Sequence, residues 1–185
     1  SHARLASAAG TRLDLDISGR IGNAAPGWCG GSGTLASPPD AESNVAPVEG
    51  TAEGTLVIDG SVPCAELGLL QEPLTLTIQA GRIVDILGPQ AATLAAVLDR
   101  LGNPATRVLA ELGVGLNPAA RLCGSMLEDE GCRGTVHLGF GSNATIGGRN
   151  SVSFHLDMVL RHTDLRIDDH LVLEHGNLVI PEEAQ

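Results

Sequence analysis

Leu74-Thr-Leu-Thr-Ile-Gln79, Ala80-Gly81 and Arg82-Ile-Val-Asp-Ile-Leu87 are two alternating segments joined by two residues. Apolar side chains at every second position mark a strand with one buried face, and a two-residue loop ending in Gly marks a tight hairpin. The pattern recurs outward from this hairpin. Thr55-Leu-Val-Ile-Asp59 is a short buried strand, and Thr11-Arg-Leu-Asp-Leu-Asp-Ile17 puts Leu13, Leu15 and Ile17 on one face. Val108–Val114, Thr135–Phe140 and Val152–Leu160 are further strands, the last two flanking a Gly-rich loop at Gly141–Gly148. Segments 165–167, 171–173 and 178–180 form a closing meander with a turn at Gly176-Asn177.

One stretch has helical spacing. Leu94, Val97, Leu98 and Leu101 recur between Pro89 and Gly102, which are start and stop residues for a helix. Ser125–Gly131 is a short helix or turn. Residues 22–50, rich in Gly, Pro, Ser and Ala, read as a long structureless stretch. The expected fold is therefore α+β: a strand-rich domain of mixed or antiparallel sheet with one main helix.

Composition narrows the function. The 185 residues are 43% hydrophobic and 18% charged, enough for one domain-sized core. No apolar run approaches the roughly 18–20 residues of a membrane span. The net charge is −11, from 22 acids against 11 bases, all of them Arg. Such a field repels phosphate, so neither nucleic acid nor an anionic membrane is an expected partner. The absence of Lys excludes Schiff-base chemistry and P-loop phosphate binding, and the absence of Tyr excludes a tyrosine acid or ligand. Cys29, Cys64, Cys123 and Cys132 have neither C-x-x-C nor zinc-finger spacing, which suits free thiols and a cytoplasmic location.

Phe154-His155-Leu156-Asp157-Met158 is the sharpest chemical feature. On a strand, His155 and Asp157 share a face, ~6.5–7 Å apart along the chain, while Phe154, Leu156 and Met158 face the core. An imidazole and a carboxylate so placed can converge on one metal ion, or form an ordinary ion pair. His162-Thr163-Asp164 has the same spacing but no apolar alternation, and reads as surface. Glu111 is an acid in an apolar run and needs a partner, because a buried carboxylate alone is costly. His137 stands among apolar neighbours, Glu42 in the long loop, and Glu128–Glu130 in an acid run that reads as a solvated face or, alternatively, as groups that cap or orient ligands.

The order of these pieces resembles a known family. Pro39-Asp-Ala-Glu42, Ala46-Pro47-Val-Glu49, Gly54–Gly60, Glu72-Pro73, Gly81–Ile86, Ala110–Pro118, Met126–Glu130, Gly134-Thr-Val-His137 and His155-Leu-Asp157 are similar to the aminopeptidase T (leucyl aminopeptidase) metallo-exopeptidases. The match runs from about Thr11 to about Gly176 and corresponds to the C-terminal part of a family member. The resemblance implies a larger two-domain protein. Residues 1–20 are then the tail of an N-terminal domain or a first strand, and 21–185 a metal-binding domain. It also implies divalent ions (zinc, cobalt or manganese) held by Glu42, Glu111, His137, His155 and Asp157. Glu111 or Glu49 would shuttle the proton, the substrate would be a small peptide, and the full-length protein would be a homodimer. Two positions depart from the family pattern: Ala41 replaces a Gly, and Ser142–Gly148 lacks the family's Tyr ligand.

The same superfamily resemblance extends to iron-dependent ring-cleaving dioxygenases of the dihydroxypyridine type. These need one iron, held by two His and a carboxylate, and the missing Tyr weighs less against them. His155, Asp157 and a third ligand, His137 or Glu111, would supply that triad. A metal-dependent aminopeptidase is the first expectation, the dioxygenase the alternative, and a non-catalytic domain the third.

Overall fold

The computed structural model describes residues 1–179. Two antiparallel sheets face each other across one core. The first holds β1 (His2–Ser7), β2 (Arg12–Asp16), β5 (Glu53–Ile58), β8 (Leu74–Gln79), β9 (Arg82–Leu87), β13 (Thr163–Ile167), β14 (His170–Glu174) and β15 (Asn177–Leu178), ordered β15-β14-β13-β1-β2-β5-β8-β9. The second holds β3 (Asn23–Ala25), β4 (Glu42–Val45), β6 (Ser61–Val62), β7 (Gly68–Leu69), β10 (Leu109–Gly115), β11 (Val136–Gly141) and β12 (His155–Leu160), ordered β3-β4-β10-β11-β12-β6-β7. The main helix, α1 (Ala91–Asp99), buries Leu94, Val97 and Leu98, and a short α2 spans Met126–Asp129. The fold is the strand-rich α+β domain expected, with every strand pair antiparallel.

Alternation explains the layering. Leu74, Leu76 and Ile78 of β8 point inward from one sheet, and Leu138 and Phe140 of β11 with Leu156 and Met158 of β12 point inward from the other. The other face of β10, β11 and β12 therefore cannot be core, and it carries the polar residues described below.

Several expectations need correction. The stretch 22–50 contains β3 and β4, which pair antiparallel, Ala25 opposite Glu42. Residues 2–7 form β1, consistent with the first-strand alternative for residues 1–20, and it joins β2 to β13. Leu101 lies past the end of α1 and is exposed. The last meander strand is Asn177–Leu178, and Ile180 lies outside the described residues. The four cysteines are free. Among the described residues no helix is long and apolar enough to cross a membrane.

The β8–β9 turn has φ +47° at Ala80 and +68° at Gly81. Both positive values match the type I′ geometry that two-residue hairpins prefer, which Asn-Gly satisfies and Ala-Gly does not. A left-handed Ala costs roughly 1–2 kcal/mol. The Ala80 N–H donates to the Glu53 carboxylate at 2.7 Å, which helps hold the turn. Ala80→Asn is expected to raise stability by about 0.5–1 kcal/mol. Urea unfolding checks this, and an unchanged or lowered midpoint would count against strain at this turn.

Candidate metal centre

The outward face of the second sheet is built by parity. Glu111, Gly113 and Gly115 share that face on β10, and His137, Gly139 and Gly141 share it on β11. His155 and Asp157 share it on β12, and Glu42 and Asn44 on β4. The registers interleave these positions: Gly113 lies opposite both Asn44 and His137, and Gly139 opposite both Glu111 and Asp157. Large polar side chains thus alternate with glycines across the strands as well as along them. The glycines make room for the rings. A Cβ at Gly113 would overlap the His137 imidazole, and one at Gly139 would lie 2.8 Å from both Glu111 Cβ and the His155 ring.

The five predicted ligands meet in one row. Glu42 Oε2 is 2.8 Å from His137 Nε2, and His137 Nε2 is 3.7 Å from Glu111 Oε1. Glu111 Oε2 is 3.2 Å from His155 Nε2, which is 3.3 Å from Asp157 Oδ1. Two sets of donor atoms, Glu42/Glu111/His137 and Glu111/His155/Asp157, each lie within 4.8 Å of one another and share Glu111. Glu42, Glu111, His137 and Asp157 are buried, whereas the His155 side chain is 31% exposed and forms the open end. His155 Nδ1 is 2.8 Å from the Ser142 carbonyl. A proton donated there leaves Nε2 free as the ligating nitrogen.

Electrostatics point the same way. Burial opposes charge on both imidazoles, but the carboxylates outweigh it. Asp157 and Glu111 push His155 up to about 11, and Glu111 and Glu42 raise His137 well above its ordinary value. Burial likewise opposes ionisation of Glu111, yet its hydrogen bonds to His137 and His155 hold it down at about 2. The Glu42 Oε2 and His137 Nδ1 atoms are buried with no aligned hydrogen-bond partner, despite the close approach of Glu42 to His137 Nε2. Carboxylate and imidazole donors aimed together, with Glu42 Oε2 lacking a proton partner, fit a divalent first-row transition-metal cation.

Glu49 lies outside both sets. It pairs with Arg20 and accepts from Asn143 Nδ2 at 2.9 Å and from the Arg149 N–H at 2.7 Å. Burial would raise its pKa, but these donors, with the Arg149 backbone foremost, hold it at about 2. It is therefore a poor proton acceptor near neutrality.

Two further acids adjoin the row: Glu130, from the acid run, and Asp40, which sequence reasoning passed over. Burial and the charges of Asp157 and Glu42 raise Glu130 to about 8, and burial with Glu42 raises Asp40 to about 6. The acid run is not a solvated face either. Asp129 is fully buried and accepts from the Cys123 and Gly124 N–H groups and from Ser61 Oγ. The glycines Gly113 and Gly139 were also missed, although each stands two residues after a ligand candidate.

Comparison with known proteins separates the two enzymatic expectations. The family model NicX: 2,5-dihydroxypyridine 5,6-dioxygenase matches residues 1–180. The 2,5-dihydroxypyridine 5,6-dioxygenase of Pseudomonas putida KT2440 is 32% identical over 150 residues, 75% of this chain and 43% of that one. The solved structure of the 2,5-dihydroxypyridine dioxygenase from Pseudomonas putida KT2440 superposes with a TM-score of 0.88 at 27% identity, over 100% of this chain and 56% of that one. Wild-type AmpT from Thermus thermophilus superposes with a TM-score of 0.73 at 19% identity, over 97% of this chain and 50% of that one, and shows a shared fold alone. This chain thus spans about half the length of these relatives.

The expectation of an aminopeptidase, and with it of a protease or hydrolase, is overturned by the family match and the 32% relative. Its physical source is the scaffold: the chain superposes on both folds, so an ordered series of scaffold motifs does not distinguish their chemistries. The chain belongs to the 2,5-dihydroxypyridine 5,6-dioxygenase family.

Proposed function

We propose that this chain carries the iron centre of a ring-cleaving dioxygenase acting on a dihydroxylated pyridine. His155 and Asp157 would hold the ion, with His137 or Glu111 as third ligand. The observation that carries the proposal is the convergence of these donors at the open end of a buried row, in a member of the dioxygenase family. Iron(II), when bound, supplies the one-electron chemistry that lets dioxygen react with an aromatic ring.

The chain's own residues do the rest. The Ser142 carbonyl orients His155, and Gly113 and Gly139 let the rings lie flat across their neighbouring strands. Glu130 lies against the row, where burial and the charges of Asp157 and Glu42 favour its protonated form. The exposed edge of His155 leaves one side of the centre open for a planar substrate.

The direct test is anaerobic loading with iron(II), followed by oxygen-electrode measurements with 2,5-dihydroxypyridine. One iron per chain and substrate-dependent oxygen uptake are expected. His155→Ala or Asp157→Ala should weaken iron binding more than about 100-fold, given that outer-shell changes alone cost 10–100-fold. Peptide hydrolysis without oxygen uptake would overturn the proposal.

Gly113→Ala should weaken the centre without touching a ligand. Its methyl group displaces the His137 ring, so metal affinity should fall about 10–100-fold, comparable to loss of an outer-shell partner. Equilibrium dialysis against iron(II) checks this, and circular dichroism confirms that the sheets persist.

Metal uptake should also release protons. His155 and His137 have raised folded pKa values, so their protonated pairing stabilises the fold fully below about pH 6.5; the His155 share is lost as pH climbs toward 11, and the His137 share as pH rises through its own elevated pKa. Glu111, depressed to about 2, contributes above about pH 4.5 and is lost as pH falls from there toward 2. A cation displaces the imidazole protons, so affinity should rise with pH between 6 and 8. Calorimetry in buffers of different ionisation enthalpy should find at least one proton released per ion at pH 7.

A further inference from the structure

On the far side of the segment that follows β11, a cavity of about 830 Å³ is lined by Arg20, Arg82 and Arg149, with Glu49, Asn150 and the β8–β9 turn. Arg20 is mostly buried; it donates to the Gly147 carbonyl at 2.7 Å and pairs with Glu49. Glu49 is tied down in turn by Asn143 and the Arg149 N–H, so the Arg20 charge is locally neutralised. Arg82 donates to the Pro104 carbonyl and has no carboxylate partner among the described residues. Arg149 is exposed, and among the described residues only its backbone N–H is engaged. Among the described residues neither Arg82 nor Arg149 pairs with a carboxylate, and both line one concavity in a chain of net charge −11.

We propose that this cavity binds a small di- or polyanion through its carboxylate or phosphate groups. A guanidinium presents paired N–H donors that match the oxygens of either group, and a concave low-dielectric wall concentrates the field of the cations behind it. The volume lies within the roughly 300–1,000 Å³ typical of small-ligand sites, which favours a small molecule over a flat protein contact. The polar floor continues toward the metal row, because Asn150 Nδ2 donates to the Gly141 carbonyl at 2.6 Å and the Ser142 carbonyl accepts from His155. The inference does not rest on dioxygenase chemistry, since its ligands and its readout are independent of iron.

The test uses the purified protein at pH 7 and low ionic strength, titrated separately with inorganic phosphate and with malonate. Sodium chloride at matched ionic strength is the control, because any salt screens the self-repulsion of a strongly acidic chain. One saturable calorimetric site is expected, for phosphate, malonate or both; the better ligand identifies the group the cavity takes. Arg149→Gln and Arg82→Gln should each weaken binding about tenfold, consistent with loss of a charge-assisted hydrogen bond. Arg149→Lys should fall between, since it keeps the charge but loses the fork. Arg4→Gln, on β1 beside Asp14, should leave binding unchanged. Heats no larger than those of chloride, or binding indifferent to Arg82 and Arg149, would overturn the proposal. So would a change of oligomeric state in Arg149→Gln without saturable anion binding, which would make the cavity a contact face for another chain.

Discussion

Three carboxylates and two imidazoles share the outer face of a sheet whose central strands are apolar on the inner face, and this coupling constrains everything around it. Ionised carboxylates leave water only when something compensates them. Here each is within reach of an imidazole, and Glu111 uses both oxygens, one toward His137 and one toward His155. The inner face fixes the outer one. Leu138, Phe140, Leu156 and Met158 must point inward, so His137, His155 and Asp157 can only point out. A one-residue slip of β11 against the core would exchange the two sets, which is why the apolar pattern specifies the centre as firmly as the polar residues do.

Glycine completes the constraint. Two strands that both carried large residues at facing positions would force the rings apart. With Gly113 opposite His137 and Gly139 between Glu111 and Asp157, the side chains lie across neighbouring backbone and approach within bonding distance.

Much of this was legible in the sequence because it rests on period-two alternation. The β8–β9 hairpin, α1 and the central strands read directly, and the five ligand candidates come together in space. What escaped has a common cause. Glu42-Ser-Asn-Val45 shows no apolar alternation, because one face of β4 carries Glu42 and Asn44 toward the polar row. A strand without an apolar face resembles a loop. The acid run 128–130 misled for the opposite reason: hydrophilic residues suggest solvent, yet Asp129 is buried by the backbone N–H groups it accepts from. Motif order carried the scaffold correctly and the reaction incorrectly, since the folding demands of a shared sheet leave more trace in sequence than the choice of reaction does.

Charge counting bears on how many ions such a row takes. Glu42, Glu111 and Asp157 bring three negative charges when ionised, and His137 and His155 bring none when neutral. One divalent ion reduces the total to −1, and a single retained proton then brings it to zero. That count is the same whether His137 or Glu111 completes the ligand set, because the unused member of the row keeps the proton. A second divalent ion would leave these five side chains one positive charge in excess, to be matched by a hydroxide or another anionic ligand. A bridging hydroxide serves hydrolysis, where it is the nucleophile. Oxygen chemistry on a ring needs instead an uncrowded ion with room for substrate. The partly exposed His155 places such room at the end of the row that opens to solvent.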